Sequence, residues 1–424
     1  MTILEEVLSN QNMNDAYLRV YRNKGTGGVD GVTIEELKQY LKENKDELRQ
    51  RIRTRKYRPQ AALRVEIPKG NGKMRKLGIP TVVDRVVQQA IHQVLSPIFE
   101  RQFSDFSYGF RPGRSCEMAV IQSLEFLNDS YDWVIDIDLE RFFDTVHHDK
   151  LMRIISNTID DGDVISLVRK YLVSGVRVNG KYEHTPVGTP QGGNLSPLLS
   201  NIMLNELDKE LETRGLRFVR YADDALIFVK SEKAAHRVMA SVTKFIEGKL
   251  GLIVNNEKSR IVRPKSLKFL GFGYFYDARN KRYSVKPHED SVQKFQRRLK
   301  QLTKRSWSVP LDYRIRKLKQ VIYGWVNYFR IAHMKKKTAQ IDSKLRARIR
   351  VIIWKQWKVA KKQIQSLVQL GIPREEAKGL TYCRKGYRYI GLSKVIHRAI
   401  SNKRLRQRGL PTISAYYLKV HTVI

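Results

Sequence analysis

The stretch RYADDALIFV, residues 220–229, sets two acidic residues side by side between two short apolar runs. The runs LRFVR and ALIFV predict two β-strands, so Asp223 and Asp224 fall at the tip of a hairpin. Two adjacent carboxylates repel each other unless a cation of higher charge lies between them. A lone Asp-Asp pair is usually simple turn chemistry. A divalent metal site is the alternative, and it needs support from the rest of the chain.

A second acidic strand supplies that support. In DWVIDIDLERFF, residues 132–143, apolar and acidic positions alternate, as in a strand with one buried face, so Asp136 and Asp138 share a face. Carboxylate oxygens from a few residues, completed by phosphate and water, suit Mg²⁺ in phosphoryl-transfer enzymes. We therefore expect Asp138 to join the hairpin pair as a third ligand for two divalent ions.

The charge of the chain is unevenly distributed. Its 424 residues carry a formal net charge of +38, and residues 281–424 hold 37 Lys and Arg against 6 Asp and Glu. Such an excess indicates a polyanionic partner, most simply nucleic acid, because each neutralised phosphate releases counterions. A ribosome-like or merely solubilising basic surface is the alternative.

Several classes of protein are disfavoured by composition. No stretch approaches the roughly 18 uninterrupted apolar residues of a membrane helix, and acidic Glu5 and Glu6 stand where a secretory signal would be basic. We expect an intracellular protein that does not bind membranes. Cys116 and Cys383 lie too far apart in sequence to form a disulfide framework or a four-ligand zinc site.

Two further patterns predict a basic hairpin before the acidic strands and basic helices after them. LRVEIP and RKLGIP on either side of KGNGK predict a hairpin whose tip carries Lys69, Lys73 and Arg75. A basic tip can hold a triphosphate, although by itself it is usually a solvated turn. Beyond residue 280 the periodicity becomes purely helical and predicts three basic amphipathic helices, followed from about residue 366 by a small module.

Successive motifs of the chain resemble those of reverse transcriptases. In order they are DIDLERFFD (136–144), GTPQGGNLSP (188–197), RYADD (220–224), GLIVNNEKS (251–259) and LKFLGFGY (267–274). The segments NKGTGGVDG (23–31), YGFRPGRS (108–115) and GWVNYF (324–329) are similar to bacterial group II intron-encoded proteins, which act as reverse transcriptase and maturase. The resemblance extends from about residue 10 to beyond residue 400.

The resemblance implies an α+β fold: a right-hand polymerase with fingers and palm of reverse-transcriptase type, an all-α basic thumb and a small C-terminal module. We expect an N-terminal extension and the start of the fingers at 1–80 and the fingers and palm at 81–280. The thumb, or maturase domain X, should follow at 281–365 and a DNA-binding domain at 366–424.

It also implies roles for single residues. Asp138, Asp223 and Asp224 match the catalytic triad that binds two Mg²⁺ ions, with Mn²⁺ as an alternative, whereas we interpret Asp136 and Asp144 as structural. The residues that match dNTP-binding positions are Lys69, Arg75, Phe143 and Gln191.

The roles of Phe143 and Lys258 each have an alternative, and the candidate DNA contacts are not ranked against one another. Phe143 matches the gate that excludes the ribose 2′-OH, and its alternative is an ordinary buried aromatic. Lys258 matches a candidate general acid toward pyrophosphate, or is a solvated surface lysine. Candidate DNA contacts are Arg384, Lys385 and Arg388, with Tyr382 and Tyr387 beside them.

The implied function is an RNA-directed DNA polymerase that is also a maturase, binding group II intron RNA to promote splicing and retromobility. Alternatives are a maturase active only in splicing, or a free-standing reverse transcriptase recruited to host defence or repair. The implied partners are intron RNA, an RNA template with a DNA or RNA primer, target DNA and dNTPs, in the bacterial cytoplasm. The oligomeric state stays open. Without the cysteine cluster of an endonuclease domain, we expect the short class that lacks this domain.

Overall fold

The structure, a computed structural model, describes residues 2–68, 74–189 and 192–422. The chain divides into two compact units, Met1–Arg263 and Pro264–Ile424. The four-part division expected from the resemblance stays a prediction.

The first unit combines helices with two four-stranded sheets. Its helices are α1 (Ile3–Val7), α2 (Asn10–Asn23), α3 (Leu37–Arg53), α4 (Val82–Glu100), α5 (Cys116–Asn128), α6 (Phe142–Thr145), α7 (His148–Ser156), α8 (Gly162–Leu172), α9 (Ser196–Thr213) and α10 (Glu232–Phe245), which continues as a π-helical turn, Ile246–Leu250. Its strands are β1 (Ala62–Pro68), β2 (Met74–Ile79), β3 (Trp133–Ile137), β4 (Val176–Val178), β5 (Lys181–Glu183), β6 (Arg217–Tyr221), β7 (Asp224–Val229) and β8 (Arg260–Val262).

The acidic strands lie in the middle of one sheet, whose order is β6-β7-β3-β8 with antiparallel neighbours. Ile135, Phe218 and Ile227 on these strands are completely buried, because one face of the sheet packs into the core of the unit. The strands predicted around the two acidic motifs are therefore confirmed, and the sheet brings both motifs to the same edge.

The second sheet contains the predicted basic hairpin. Strands β1 and β2 pair antiparallel, with Ile67 opposite Arg75, and β1 also pairs with β4 in the order β2-β1-β4-β5. The hairpin is confirmed, while Lys69 and Lys73 at its tip lie outside the described residues.

A buried carboxylate joins the base of this hairpin to α4. Thr81 caps α4 by accepting a hydrogen bond from the Asp84 backbone N–H, and the Asp84 carboxylate accepts from Tyr57 Oη at 2.6 Å, the Gln60 N–H at 3.1 Å and Tyr171 Oη at 3.3 Å. Burial raises the pKa of Asp84, and the hydrogen bonds from the tyrosines oppose that rise. One side chain thus connects three separate segments of the unit.

The second unit begins with a small antiparallel sheet and continues as helices. Its strands are β9 (Lys268–Phe269), β10 (Phe272–Asp277) and β11 (Arg282–Pro287), in the order β11-β10-β9, preceded by a 3₁₀ turn, Pro264–Ser266. Its helices are α11 (Glu289–Leu302), α12 (Leu311–Tyr328), α13 (Lys335–Gln356), α14 (Ala360–Gln369), α15 (Arg374–Thr381), α16 (Tyr387–Leu392), α17 (Lys394–Ala399), α18 (Asn402–Gln407) and α19 (Ile413–Val420).

The expectation that the chain is purely helical beyond residue 280 is wrong for β11. This strand pairs along its whole length with β10, with Val285 opposite Tyr274. Its sequence, RYSVKP, alternates Tyr283 and Val285 with polar residues, but this short signal stands directly before a long helical pattern, and pairing with β10 fixes its conformation. The three basic helices predicted after it are confirmed as α11, α12 and α13.

Helix α13 is the element against which the C-terminal helices pack. Asp342 on α13 accepts hydrogen bonds from the Ile413 and Ser414 backbone N–H groups, both at 2.8 Å. The buried Arg350 on the same helix donates through Nε to the Ile400 carbonyl at 2.9 Å. Residues after 366 are therefore integrated with the predicted thumb helices in one compact unit. No helix within the described part of the chain is long and apolar enough to cross a membrane.

Replacing Asp84 tests the connection at the base of the hairpin. Asp84→Ala removes the acceptor shared by two tyrosine hydroxyls, the Thr81 hydroxyl and a backbone N–H, so we expect the free energy of unfolding to fall by about 3 kcal/mol. Urea unfolding measures this change. The matched control is Asp160→Ala at an exposed position, which should cost no more than about 0.5 kcal/mol. Equal effects of both substitutions would contradict a connecting role for Asp84.

Candidate catalytic site

The two acidic neighbours occupy a tight hairpin turn. Strand β6 ends at Tyr221, which pairs directly with Asp224 at the start of β7, so Ala222 and Asp223 form a two-residue turn. Ala222 has a φ of +57°, in the left-handed region that an L-residue adopts only at a cost. The turn therefore needs support from neighbouring groups.

A buried arginine supplies that support from beneath. Arg220 is 1 % exposed and donates through Nη1 to the Ala222 carbonyl at 2.9 Å, inside the turn itself. Its Nε and Nη2 donate to the two carboxylate oxygens of Asp208 on α9, the first at 2.7 Å, and Nη1 also donates to Asn201 Oδ1 at 3.0 Å. A planar guanidinium with several donors can hold the carboxylate and the turn at once.

The segment YGFRPGRS supports the turn from one side. The Tyr108 N–H donates to the Arg220 carbonyl at 2.8 Å, and Asn201 Nδ2 donates to the Gly109 carbonyl at 2.8 Å. A Cβ on Gly109 would lie 2.3 Å from the Ala222 backbone nitrogen, so only glycine allows this close approach. This motif therefore has a structural role in fixing the turn.

The sheet register brings the three predicted carboxylates together. Ile137 is opposite Ala225 across β3 and β7, so the next pair along the register is Asp138 and Asp224. Directly opposed residues on antiparallel strands have Cα atoms about 5 Å apart. Asp223 precedes Asp224 in the turn, and all three acids therefore meet at one edge of the sheet.

Asp138 is anchored by the segment GLIVNNEKS. Its N–H donates to Ser259 Oγ at 3.0 Å, and its carbonyl accepts from the Asn255 N–H at 2.8 Å. Its carboxylate forms an ion pair with Lys258, whose Nζ lies 2.9 Å from Asp138 Oδ2. The candidate general acid thus contacts a candidate metal ligand directly.

The acids at this edge perturb one another. Although Asp224 as a whole is exposed, nearby protein atoms remove part of the hydration of its carboxyl group, and this raises its pKa to about 6. The charges of Asp223, Asp136 and Asp138 add to that rise, and Lys258 opposes it. A carboxyl group with this pKa is ionised at pH 7 at the cost of repulsion, which a cation would remove.

Asp136 differs from these three. It lies within β3 and forms an ion pair with Arg260 on the adjacent strand β8, with 3.2 Å between Nε and Oδ2. Burial raises the pKa of Asp136, and the hydrogen bond from Arg260 opposes the rise. Asp136 also lies opposite Leu226, two residues before Asp138 and farther from the hairpin turn, which supports the structural interpretation of this residue.

The donor chemistry of the edge fits a divalent cation, but the arrangement is not a closed metal shell. Within residues 2–68, 74–189 and 192–422, no three His, Cys, Asp or Glu side chains are grouped closely enough to hold a metal ion. The ammonium of Lys258 occupies one oxygen of Asp138. Mg²⁺ commonly takes only one or two carboxylates and completes its shell with water and phosphate, so the acids can serve once Lys258 moves away.

Comparisons with known proteins identify the family of the chain. Residues 67–274 match the family model for reverse transcriptase (RNA-dependent DNA polymerase), and residues 292–369 match the group II intron maturase-specific domain. Protein YkfC of Escherichia coli K12 is 37% identical over 274 residues, which cover 56% of this chain and 72% of that protein. This chain belongs to the group II intron-encoded reverse transcriptases.

Two further relatives are themselves products of introns. The group II intron-encoded protein LtrA of Lactococcus lactis subsp. cremoris is 34% identical over 255 residues, covering 58% of this chain and 40% of LtrA. The putative COX1/OXI3 intron 2 protein of Saccharomyces cerevisiae is 30% identical over 311 residues, covering 59% of this chain and 35% of that protein. This reverse transcriptase thus matches less than half the length of each of these two relatives.

The predicted dNTP-binding residues of this reverse transcriptase are only partly described. Lys69 and Gln191 lie outside the described residues, and Arg75 is exposed on β2. Of the two adjacent phenylalanines, Phe142 is buried and Phe143 is half-buried. Their rings pack edge-on, with centroids 5.2 Å apart. The partial exposure leaves Phe143 available as a gate, and that role stays a prediction.

The loop that leads to Gln191 is attached to the Phe143 segment. The Thr189 N–H donates to the Phe143 carbonyl at 2.6 Å, and the Gly188 N–H donates to the Val146 carbonyl at 2.8 Å. The buried His148 contacts the Gly188 carbonyl through Nε2 at 2.7 Å. Two of the predicted dNTP-binding motifs are therefore adjacent in the fold.

Sequence reasoning missed the groups that hold the turn: Arg220, Asp208 and Asn201. A signal for Asp208 was present, because it stands one turn after Leu204 and three residues before Leu211, on the apolar face of α9. A charged residue at a core position indicates a buried partner of opposite charge. The sequence does not show that this partner is Arg220 of the RYADD motif itself.

The Arg220 network should matter for both stability and activity of this reverse transcriptase. Arg220→Leu leaves the buried Asp208 carboxylate without its partner, so we expect a loss of about 3–5 kcal/mol in the free energy of unfolding. The double variant Arg220→Leu/Asp208→Leu removes both charges and should recover much of that stability.

Primer extension at several Mg²⁺ concentrations separates the two roles of the network. Because the double variant still lacks the hydrogen bond to the Ala222 carbonyl, we expect kcat to stay at least about tenfold low and half-maximal activity to need more Mg²⁺. Normal extension by a stable double variant would show that Arg220 does not position the turn.

The raised pKa of Asp224 predicts a pH effect on the metal-free protein. The folded-state pKa of about 6 exceeds the ordinary value of 3.8, so the contribution of this group to stability is complete below about pH 4 and is lost as the pH rises through 6. Relative to Asp224→Asn, the wild-type melting temperature should therefore fall between pH 4.5 and 7.5, by a few degrees at most because the residue is exposed.

Thermal unfolding in EDTA measures this difference, and addition of Mg²⁺ at pH 7.5 should reverse it. Asp160→Asn, at an exposed position outside the cluster, serves as the control and should follow wild type at every pH. A constant difference between wild type and Asp224→Asn across the pH range would contradict the repulsion.

Proposed function

We propose that this protein polymerises DNA on an RNA template with Asp138, Asp223 and Asp224 as the ligands of two Mg²⁺ ions, Mn²⁺ being an alternative. The observation that carries the proposal is the register of β3 with β7. Continued by one residue pair, this register sets Asp138 opposite Asp224, which directly follows the turn residue Asp223. When bound, the ions supply the charge that activates a primer 3′-OH and stabilises a departing pyrophosphate.

Asp224, the Arg220 network and Lys258 each contribute to this site. Asp224 is ionised at neutral pH and contributes negative charge, while the Arg220 network holds the turn so that Asp223 keeps its position. The Lys258 ammonium is paired with Asp138 and would have to leave this carboxylate for Asp138 to hold a metal ion. Once released, Lys258 can donate a proton to the leaving pyrophosphate, the role that we propose for it.

We propose that the dNTP contacts Arg75 and Lys69 of the hairpin, Phe143 and Gln191. Arg75 is exposed on β2 and can meet a triphosphate, and Thr189, two residues before Gln191 in the sequence, donates a hydrogen bond to the Phe143 carbonyl. Phe143 would exclude a ribose 2′-OH by occupying the space that it requires.

We also propose that the second unit binds group II intron RNA as a maturase. The segment that matches the maturase-specific domain runs from within α11 through α12 and α13 to the end of α14, and its basic side chains far outnumber the acidic ones. Exposed Arg384 and Lys385 precede α16, and Arg388 lies within it; these residues are the proposed contacts with target DNA. These nucleic-acid partners suit a protein of the bacterial cytoplasm.

Primer extension and splicing, measured on the same preparations, test this function. Asp223→Asn keeps the size of the side chain but removes a charge, so we expect extension on an RNA template to fall at least about 10³-fold. Splicing of the cognate intron should survive, because it depends on RNA binding rather than on these carboxylates. The control is Asp144→Asn, an exposed acid of the same motif, which should extend the primer normally.

The other possible results of these two assays distinguish between the candidate functions. If Asp223→Asn extends the primer like wild type, the three-carboxylate site is wrong. If the wild-type protein supports splicing but never extends a primer, the protein acts only as a splicing maturase. Extension without any effect on splicing would instead favour a free-standing reverse transcriptase.

A further inference from the structure

The second unit contains a large concave site between three of its helices, and Arg388, a proposed contact with target DNA, is among the residues that line it. A groove of about 1170 Å³ lies between the C-terminal end of α11, the middle of α13 and α16. We call it the basic groove, and its cations include Lys300, Lys304, Arg305, Lys344, Arg348 and Arg388. All the residues that line it belong to Pro264–Ile424, whereas the candidate catalytic carboxylates belong to Met1–Arg263.

The positive charge of the basic groove is not balanced within the part of the chain that the structure describes. None of the six cations forms an ion pair there with a carboxylate. Arg348 instead donates through Nε to Thr303 Oγ1 at 2.6 Å and through Nη2 to the Thr303 carbonyl at 3.0 Å. Burial and the nearby charge of Arg305 lower the pKa of Arg348. The groove therefore favours a ligand with several negative charges.

The walls between these cations are apolar and aromatic. Tyr387 is 41 % exposed, with the Arg305 guanidinium 4.5 Å from its ring centroid, and Leu392 is 53 % exposed. Gly391 brings α16 against α13, because a Cβ there would lie 2.7 Å from Val351 Cγ2. A polyanion that used only charge would leave Tyr387 and Leu392 without a function.

We infer that the basic groove binds a segment of single-stranded nucleic acid, with its phosphates on the lysines and arginines and an unpaired base against Tyr387. Single strands combine these two features, because bases stack on aromatic rings while a basic surface follows the backbone. A duplex offers its phosphates but keeps its base faces inside, so it cannot use the apolar walls. A groove of this volume accommodates a few nucleotides, whereas typical small-molecule pockets occupy about 300–1,000 Å³.

This inference rests on the proposed binding of nucleic acid by the second unit and adds where a single strand lies. If the wild-type protein bound none of the probes, that proposed function would fail as well. If wild type bound them and the groove variants bound equally well, only the groove would be wrong, and the carboxylate site would be untouched in either case. The shared chemistry, a phosphodiester backbone with unpaired bases, occurs in both RNA and DNA. The experiment therefore uses both sugars as separate arms.

Fluorescence anisotropy on the full-length protein provides the test, with 12-nucleotide oligo-rU, 12-nucleotide oligo-dT and a blunt 12-base-pair duplex as probes. The triple variant Lys304→Gln/Lys344→Gln/Arg388→Gln removes three exposed cations of the groove. Each lost phosphate contact lowers the slope of log affinity against log salt by about 0.7 for a single strand, so the slope should fall by about 2. At 0.1 M salt we expect binding of single strands to weaken at least tenfold.

The matched control removes the same charge outside the groove. Lys38→Gln/Lys42→Gln/Lys45→Gln changes three exposed lysines of α3, in the first unit, that do not line it. This variant should keep the wild-type salt slope for single strands. Equal slopes in the groove and control variants, with both proteins folded by circular dichroism, would overturn the inference.

A second variant tests the base contact separately from charge. Tyr387→Leu should weaken single-strand binding about tenfold without changing the salt slope or the affinity for the duplex, and Tyr387→Trp should restore binding. Tighter binding of oligo-rU or of oligo-dT would identify the preferred sugar and support the site in either case. Equal losses for duplex and single strands, or full competition by polyglutamate, would show a non-selective polyanion surface and overturn the inference.

Discussion

The buried pair of Arg220 and Asp208 is the interaction on which the candidate catalytic site depends. It lies beneath the hairpin turn, where the same guanidinium that holds Asp208 also donates to the Ala222 carbonyl. A turn with a positive φ at alanine and two adjacent acids would otherwise favour other conformations. One charged group in the core thus stabilises an unfavourable arrangement at the surface of the sheet.

The rest of the first unit is organised around that turn. Tyr108 and Gly109 approach it from one side, and Asp138 directly follows the end of β3, the strand that pairs with β7. The segment with Asn255 and Ser259 then anchors the backbone of Asp138. These segments are far apart in sequence, and each of them uses backbone hydrogen bonds, which hold positions more rigidly than contacts between long side chains.

The electrostatic properties of the two units are opposite in character. In the first unit, acids are gathered at one edge, where desolvation and then the repulsion of neighbouring acids raise the pKa of Asp224 and Lys258 opposes the rise. In the second unit, cations are gathered in the basic groove with apolar walls between them. The acidic edge suits small, highly charged cations and the basic groove suits a polyanion, so both sites fit a protein that handles nucleic acids.

The sequence by itself determined the strands of the RYADD hairpin, the strand before Asp138, the basic hairpin and the three helices after it, because each depends on a local pattern of apolar residues. It also pointed to the three carboxylates, since their motifs occur in order. Only the tertiary structure decided that Arg220 pairs with Asp208, that Lys258 contacts Asp138 and that β11 is a strand. The basic groove likewise needs α16 beside α11 and α13. These features depend on which distant segments pack together, and a local pattern carries no information about that.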